Sequence, residues 1–89
     1  MTVLFFVFFK ILKELEINDD LRVSLWLEDD DSYLMPCKFT DVLEEDNFYS
    51  IRVNVLDPDK LISEGLFEHK FFFGHPEKVI GYGILKDVG

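Results

Sequence analysis

The stretch Tyr49-Ser50-Ile51-Arg52-Val53-Asn54-Val55 alternates without a break. Tyr49, Ile51, Val53 and Val55 take one side of an extended chain, and Ser50, Arg52 and Asn54 take the other, because successive side chains of a strand point to opposite faces. Working outward, Arg22 to Glu28 repeats the pattern, with Val23, Leu25 and Leu27 opposing Arg22, Ser24, Trp26 and Glu28. Leu66 to Phe73 is an aromatic-rich run. Lys78 to Lys86 sets Val79, Gly81, Gly83 and Leu85 against Ile80, Tyr82 and Ile84. Tyr33 to Phe39 is weaker, since Pro36 withholds a ladder donor and favours an edge or a bulge. Val3, Phe5, Val7, Phe9 and Ile11 fit a strand face, while Leu4, Phe8, Ile11, Leu12 and Leu15 fit a helical stripe; the Phe and Val content favours the strand.

The turn signals between these runs divide the chain. They fall at Asn18-Asp19-Asp20, Asp29-Asp30-Asp31-Ser32, Glu44-Glu45-Asp46-Asn47, Asp57-Pro58-Asp59 and Gly74-His75-Pro76. Their spacing suits strands and leaves little room for long helices. Pro58 to Glu64 reads as one helical turn or a loop. With no repeat, low-complexity tract or linker, residues 1–89 are expected to form a single all-β domain.

A chain of 89 residues closes one core, and ten Phe, three Tyr and one Trp supply volume that length does not. The lone cysteine, Cys37, has no partner for an internal disulfide, which points to a reducing, cytoplasmic compartment. Eighteen acidic against nine basic residues give a formal charge of -9. That charge repels phosphate backbones and anionic lipids, so neither nucleic acid nor a membrane surface is an expected partner, and a basic protein is. The apolar start from Val3 to Phe9 lacks the basic flank and cleavage site of a leader, and Lys10 ends it far short of the ~20 residues that span a bilayer; it reads as part of the fold.

Three pieces in the second half form a pattern: Tyr49 to Pro58 ending a strand at a proline, Glu64-Gly65-Leu66-Phe67, and Lys78-Val79-Ile80-Gly81-Tyr82-Gly83-Ile84-Leu85. Their order and spacing resemble the last three strands of the C-terminal β-barrel domain of elongation factor Tu. The resemblance implies a small closed antiparallel barrel of about six strands. Gly81 and Gly83, two apart, agree with it: two absent side chains on one strand face leave room for Phe71 or Phe73, or for the coiling a small barrel requires. The first half departs, carrying the acidic Glu14 to Asp20 where that family has a basic glycine-rich segment. These 89 residues hold no counterpart of that family's nucleotide-binding domain, and no functional residue of the family carries over.

No catalytic constellation is legible. His69, His75 and Cys37 lack the spacing of a zinc site or a Cys-His pair, and Asp29 to Asp31 lack the glycine and later glutamate of a calcium loop. No cofactor, metal or enzymatic activity is expected. Two readings stand. The first is an acidic binding protein, of the kind that neutralises a basic toxin, with Glu28, Asp29, Asp30 and Asp31 as the charged face and Trp26 and Tyr33 as aromatic anchors. It expects the acidic turns of the first half to meet as one rim. The second is a structural accessory module, self-associating or docked on a larger protein. A first strand apolar on both faces has only one face inside its barrel, so a homodimer through this strand is the expected cover for the other.

Overall fold

The Tyr49–Val55 run is a strand in the computed structural model, which describes residues 3–89. Ile51 and Val53 are buried and Arg52 is exposed, as its alternation requires. The elements in chain order are β1 (Leu4–Lys10), β2 (Arg22–Leu27), β3 (Asp30–Glu44), β4 (Tyr49–Val55), α1 (Pro58–Ser63), β5 (Lys70–His75) and β6 (Lys78–Val88). The six strands close into an antiparallel barrel in the order β1-β4-β3-β2-β5-β6. The single short helix is the turn over Pro58: Asp57 caps it by accepting from the Lys60 amide at 3.3 Å, and proline occupies the first turn, where its missing N–H has no helical partner to lose.

The opening segment is a strand. Its inward side chains are Leu4, Phe6 and Phe8, and the odd-numbered face points out. Both edges of β1 are paired, to β4 (Leu4↔Val53 through Phe8↔Tyr49) and to β6 (Leu4↔Val88 through Lys10↔Gly81). A dimer through the backbone edge of β1 therefore has no free donors or acceptors to use; only its outer side chains are available.

Phe6, Phe8, Phe39, Phe71 and Phe73 fill the barrel with Leu4, Leu25, Ile51, Val53, Leu61 and Leu85. The rings meet edge to face, Phe6 on Phe73 at 5.1 Å and Phe8 on Phe73 at 5.3 Å between centroids, the arrangement that the aromatic quadrupole favours. The glycine pair makes this possible. A Cβ on Gly83 would stand 2.8 Å from the Phe73 ring, and one on Gly81 would collide with Phe8.

One expectation is met locally and one changes. The Tyr33–Phe39 run belongs to the 15-residue β3, which pairs with β2 over residues 30–38 and with β4 over residues 37–44, so Pro36 sits where the strand is laddered on its β2 side alone. Pro36 is tolerated because β4 has run out beside it: Val55↔Cys37 is the last pair, and the Pro36 carbonyl, on the same side as its missing N–H, accepts from Leu56 at 3.3 Å. The aromatic run is also shorter than its composition implies. Leu66 to His69 is a turn with Glu68 at positive φ, and β5 begins at Lys70.

Candidate binding surfaces

The β2–β3 turn carries Glu28, Asp29, Asp30 and Asp31, all exposed. Asp30 accepts from the Ser32 amide at 3.0 Å, and hydrogen bonding to Ser32 holds its carboxyl below the usual value. The β4–β5 connection folds onto this turn. Lys60 of α1 donates to the Ser32 carbonyl at 2.8 Å and lies 4.9 Å above the Tyr33 ring. Partial desolvation pushes the Tyr33 hydroxyl upward, with the charges of Glu64 and Asp30 acting in the same direction. The fold thus adds Glu64 to the acidic end. The lysines there are engaged: Lys70 with Glu28 at 3.2 Å, Lys86 with Glu68 at 2.9 Å, and Lys60 with Ser32.

The sequence-predicted residues divide on this surface. Asp29, Asp30, Asp31 and Tyr33 lie together, and Glu28 adjoins them but is paired. Trp26 is no free anchor, because it is 9% exposed and its ring packs on Phe72, 6.0 Å between centroids. The single acidic rim is not formed. The β2–β3 and β3–β4 turns cap opposite ends of β3, so Glu44, Glu45 and Asp46 are carried away from Asp29 to Asp31. Glu44 instead shares a hollow of about 540 Å³ with Glu16 and Asp19 of the β1–β2 connection.

A second feature has the opposite charge. On the outer face of β4, β3 and β2, Asn54 is registered with Lys38, and Lys38 with Arg22. The next row sets Pro36 beside Ser24 and Ser24 beside Gly74. These two rows, with Leu56, His75, Lys78 and Ile80, line a shallow groove of about 690 Å³ whose floor reaches Val23, Cys37 and Val55. No carboxylate lines it among the described residues. Lys38 reaches Asp20 at 3.0 Å, whereas Arg22 and Lys78 form no ion pair among the described residues. The Asn54 side-chain oxygen is buried without a hydrogen-bond partner. Cys37 is buried beneath, and desolvation pushes its thiol up to about 12, which leaves it protonated and unreactive at neutral pH.

The third surface is an aromatic row on the outside. Register places Trp26 beside Phe72, Phe72 beside Tyr82, and Tyr82 beside Phe9. Phe9 stacks on Tyr82 at 5.0 Å and leans toward Phe48 at 6.2 Å, while Lys70 sits 4.5 Å from the Tyr82 centroid. The outward Phe5 is covered by the Arg52 guanidinium at 4.9 Å. Cross-strand neighbours thus supply part of the cover that a doubly apolar first strand calls for.

His69 precedes β5 and His75 ends it, at opposite ends of that strand, and neither adjoins a cluster of three potential metal ligands among the described residues. Sequence reasoning missed Glu64, whose one signal is the Asp-Pro start of a helical turn. It also missed the groove, because Arg22, Lys38, Asn54 and Lys78 are isolated in the chain and only strand pairing assembles them. Comparison with family models, with curated proteins and with solved structures returns no match.

Proposed function

We propose that this protein is a non-catalytic binding barrel whose acidic end receives a basic protein. The observation that carries the reading is the docking of α1 on the β2–β3 turn, which brings Glu64 to Tyr33 beside the exposed Asp29, Asp30 and Asp31, while Lys70 and Lys86 are paired with Glu28 and Glu68. Charge left uncompensated on one end of a barrel steers an oppositely charged partner and raises its association rate in a salt-dependent way. Tyr33 adds an aromatic body beneath that charge.

The test replaces Asp29 and Asp31 by Asn and Glu64 by Gln together and follows association with a basic partner captured from the source cells, or with a lysine-rich peptide as probe. The expected result is association slowed about tenfold or more at low salt, converging with the unaltered protein at high salt, and an unchanged thermal midpoint. Unchanged kinetics at low salt would defeat the reading. The alternative, a structural module that self-associates or docks on a larger protein, is favoured by one observation, the outer row Trp26-Phe72-Tyr82-Phe9, and it predicts a mass above the monomer in light scattering.

A further inference from the structure

The groove across β4, β3 and β2 is built in a way that the barrel does not need. Arg22 and Lys38 stand directly opposite each other on neighbouring strands, an arrangement that destabilises a sheet when both residues carry the same charge. Asp20 relieves only Lys38. Beside them, Asn54 holds a buried oxygen with no donor, which is costly wherever water does not reach it. The same hollow exposes apolar surface, with Leu56 75% exposed at its mouth and Pro36 and Val55 behind it. On a chain of charge -9 the groove is lined by cations and by no carboxylate among the described residues. An occupant that resolves all of these features has one anionic group, a hydrogen-bond donor some distance from it, and an apolar body beside them.

We infer that the groove binds the apolar C-terminus of a peptide. Its carboxylate meets the Arg22 guanidinium and the Lys78 ammonium, the Asn54 side chain turns its buried Oδ1 outward to accept a backbone N–H of the peptide, and an apolar side chain rests on Leu56 and Pro36. The spacing fits. Arg22 and Asn54 are separated by two strand intervals, roughly 9.5 Å, about the length of three extended residues. A C-terminus carries a single negative charge, so the overall charge of the barrel opposes it less than it opposes an acidic segment or a second copy of this chain. Capture of a terminal carboxylate together with main-chain donors is a general mode of peptide recognition. The surface is distinct from the acidic end, and the inference stands or falls independently of the function proposed there.

The full chain, labelled with ¹⁵N, is titrated with N-acetyl-Val-Leu-Leu bearing a free carboxylate and with the same tripeptide as its C-terminal amide. The free acid is expected to shift the amide signals of Arg22, Ser24, Lys38 and Asn54 saturably, and the amide to bind about tenfold more weakly or worse. Arg22→Gln should lose about tenfold in affinity for the free acid. Asn54→Val removes the orphaned acceptor, so it should weaken binding while leaving the thermal midpoint equal or higher, a result that loss of fold does not mimic. Equal binding of acid and amide, no saturable shift with either, or shifts confined to other strands would each overturn the inference. N-acetyl-leucine binding as tightly as the tripeptide would overturn the peptide and leave a small acyl amino acid as the occupant.

Discussion

Phe71, Phe72 and Phe73 are the same side chain three times in succession, yet the middle one lives in a different environment from its neighbours. Phe71 and Phe73 are fully buried, and Phe73 touches Phe6, Phe8 and Phe39 edge to face. Phe72 points outward into the row formed with Trp26 and Tyr82, half-buried and within 5.4 Å of the Lys70 ammonium. Phe8 and Phe9 repeat the contrast on β1. The comparison teaches that aromatic content alone carries no role here; the pleat assigns one face to stability and leaves the other for contact.

The largest expected effect is on the inner face. Phe73→Ala opens a cavity where four rings converge and should destabilise the barrel by about 3–5 kcal/mol, read from the urea midpoint. A loss under about 1 kcal/mol would show that the inner and outer faces are not as different as their burial implies.

Cys37 sharpens the comparison from a position that is inner yet forms the groove floor. Burial raises its folded-state pKa from the usual 9.0 to about 12, so the stabilisation that comes from keeping the thiol neutral is complete below pH 9 and is lost as pH rises toward 12. Between pH 8 and pH 10.5 the protein should lose about 1–2 kcal/mol more than its Cys37→Val variant, approaching 1.4 kcal/mol per pH unit at the alkaline end. Parallel unfolding profiles for the two would show that solvent reaches the sulfur.

The smallest effect belongs to the outer face. Phe72→Ala removes ring contacts with Trp26 and the cover over neighbouring strands, at a cost of about 1 kcal/mol in thermal or urea unfolding. A drop equal to that of Phe73→Ala would erase the distinction. If the outer row is an interface between copies, this variant also shifts the light-scattering mass toward the monomer.

Much of the barrel is legible in the order of residues. The alternation of Tyr49 to Val55 and of Arg22 to Leu27 marks strands, because a strand with one face inside must repeat every second residue. Gly81 and Gly83 announce a close approach, and the Phe8 and Phe73 rings fill it. The alternation of β6 is read less well. Ile80 is buried although strict alternation sets it opposite Gly81 and Gly83, since a register shift between Phe73 and Gly74 changes the pairing there. Leu66 to His69 are apolar enough for a strand and form a turn instead.

The candidate sites divide along the same line. Local sequence determined that Asp29 to Asp31 form an exposed acidic turn and that an all-β chain of this length closes a single aromatic core, because turn chemistry and period-two patterning act over a few residues. Tertiary structure alone decided which distant residues meet. The 15-residue β3 separates acidic turns expected to share a rim, α1 brings Lys60 and Glu64 to Tyr33, and strand register gathers Arg22, Lys38 and Asn54 into one row. The physical reason is that register and chain reversal are settled by the packing of the whole core, so a surface assembled from four strands leaves no mark within any one of them.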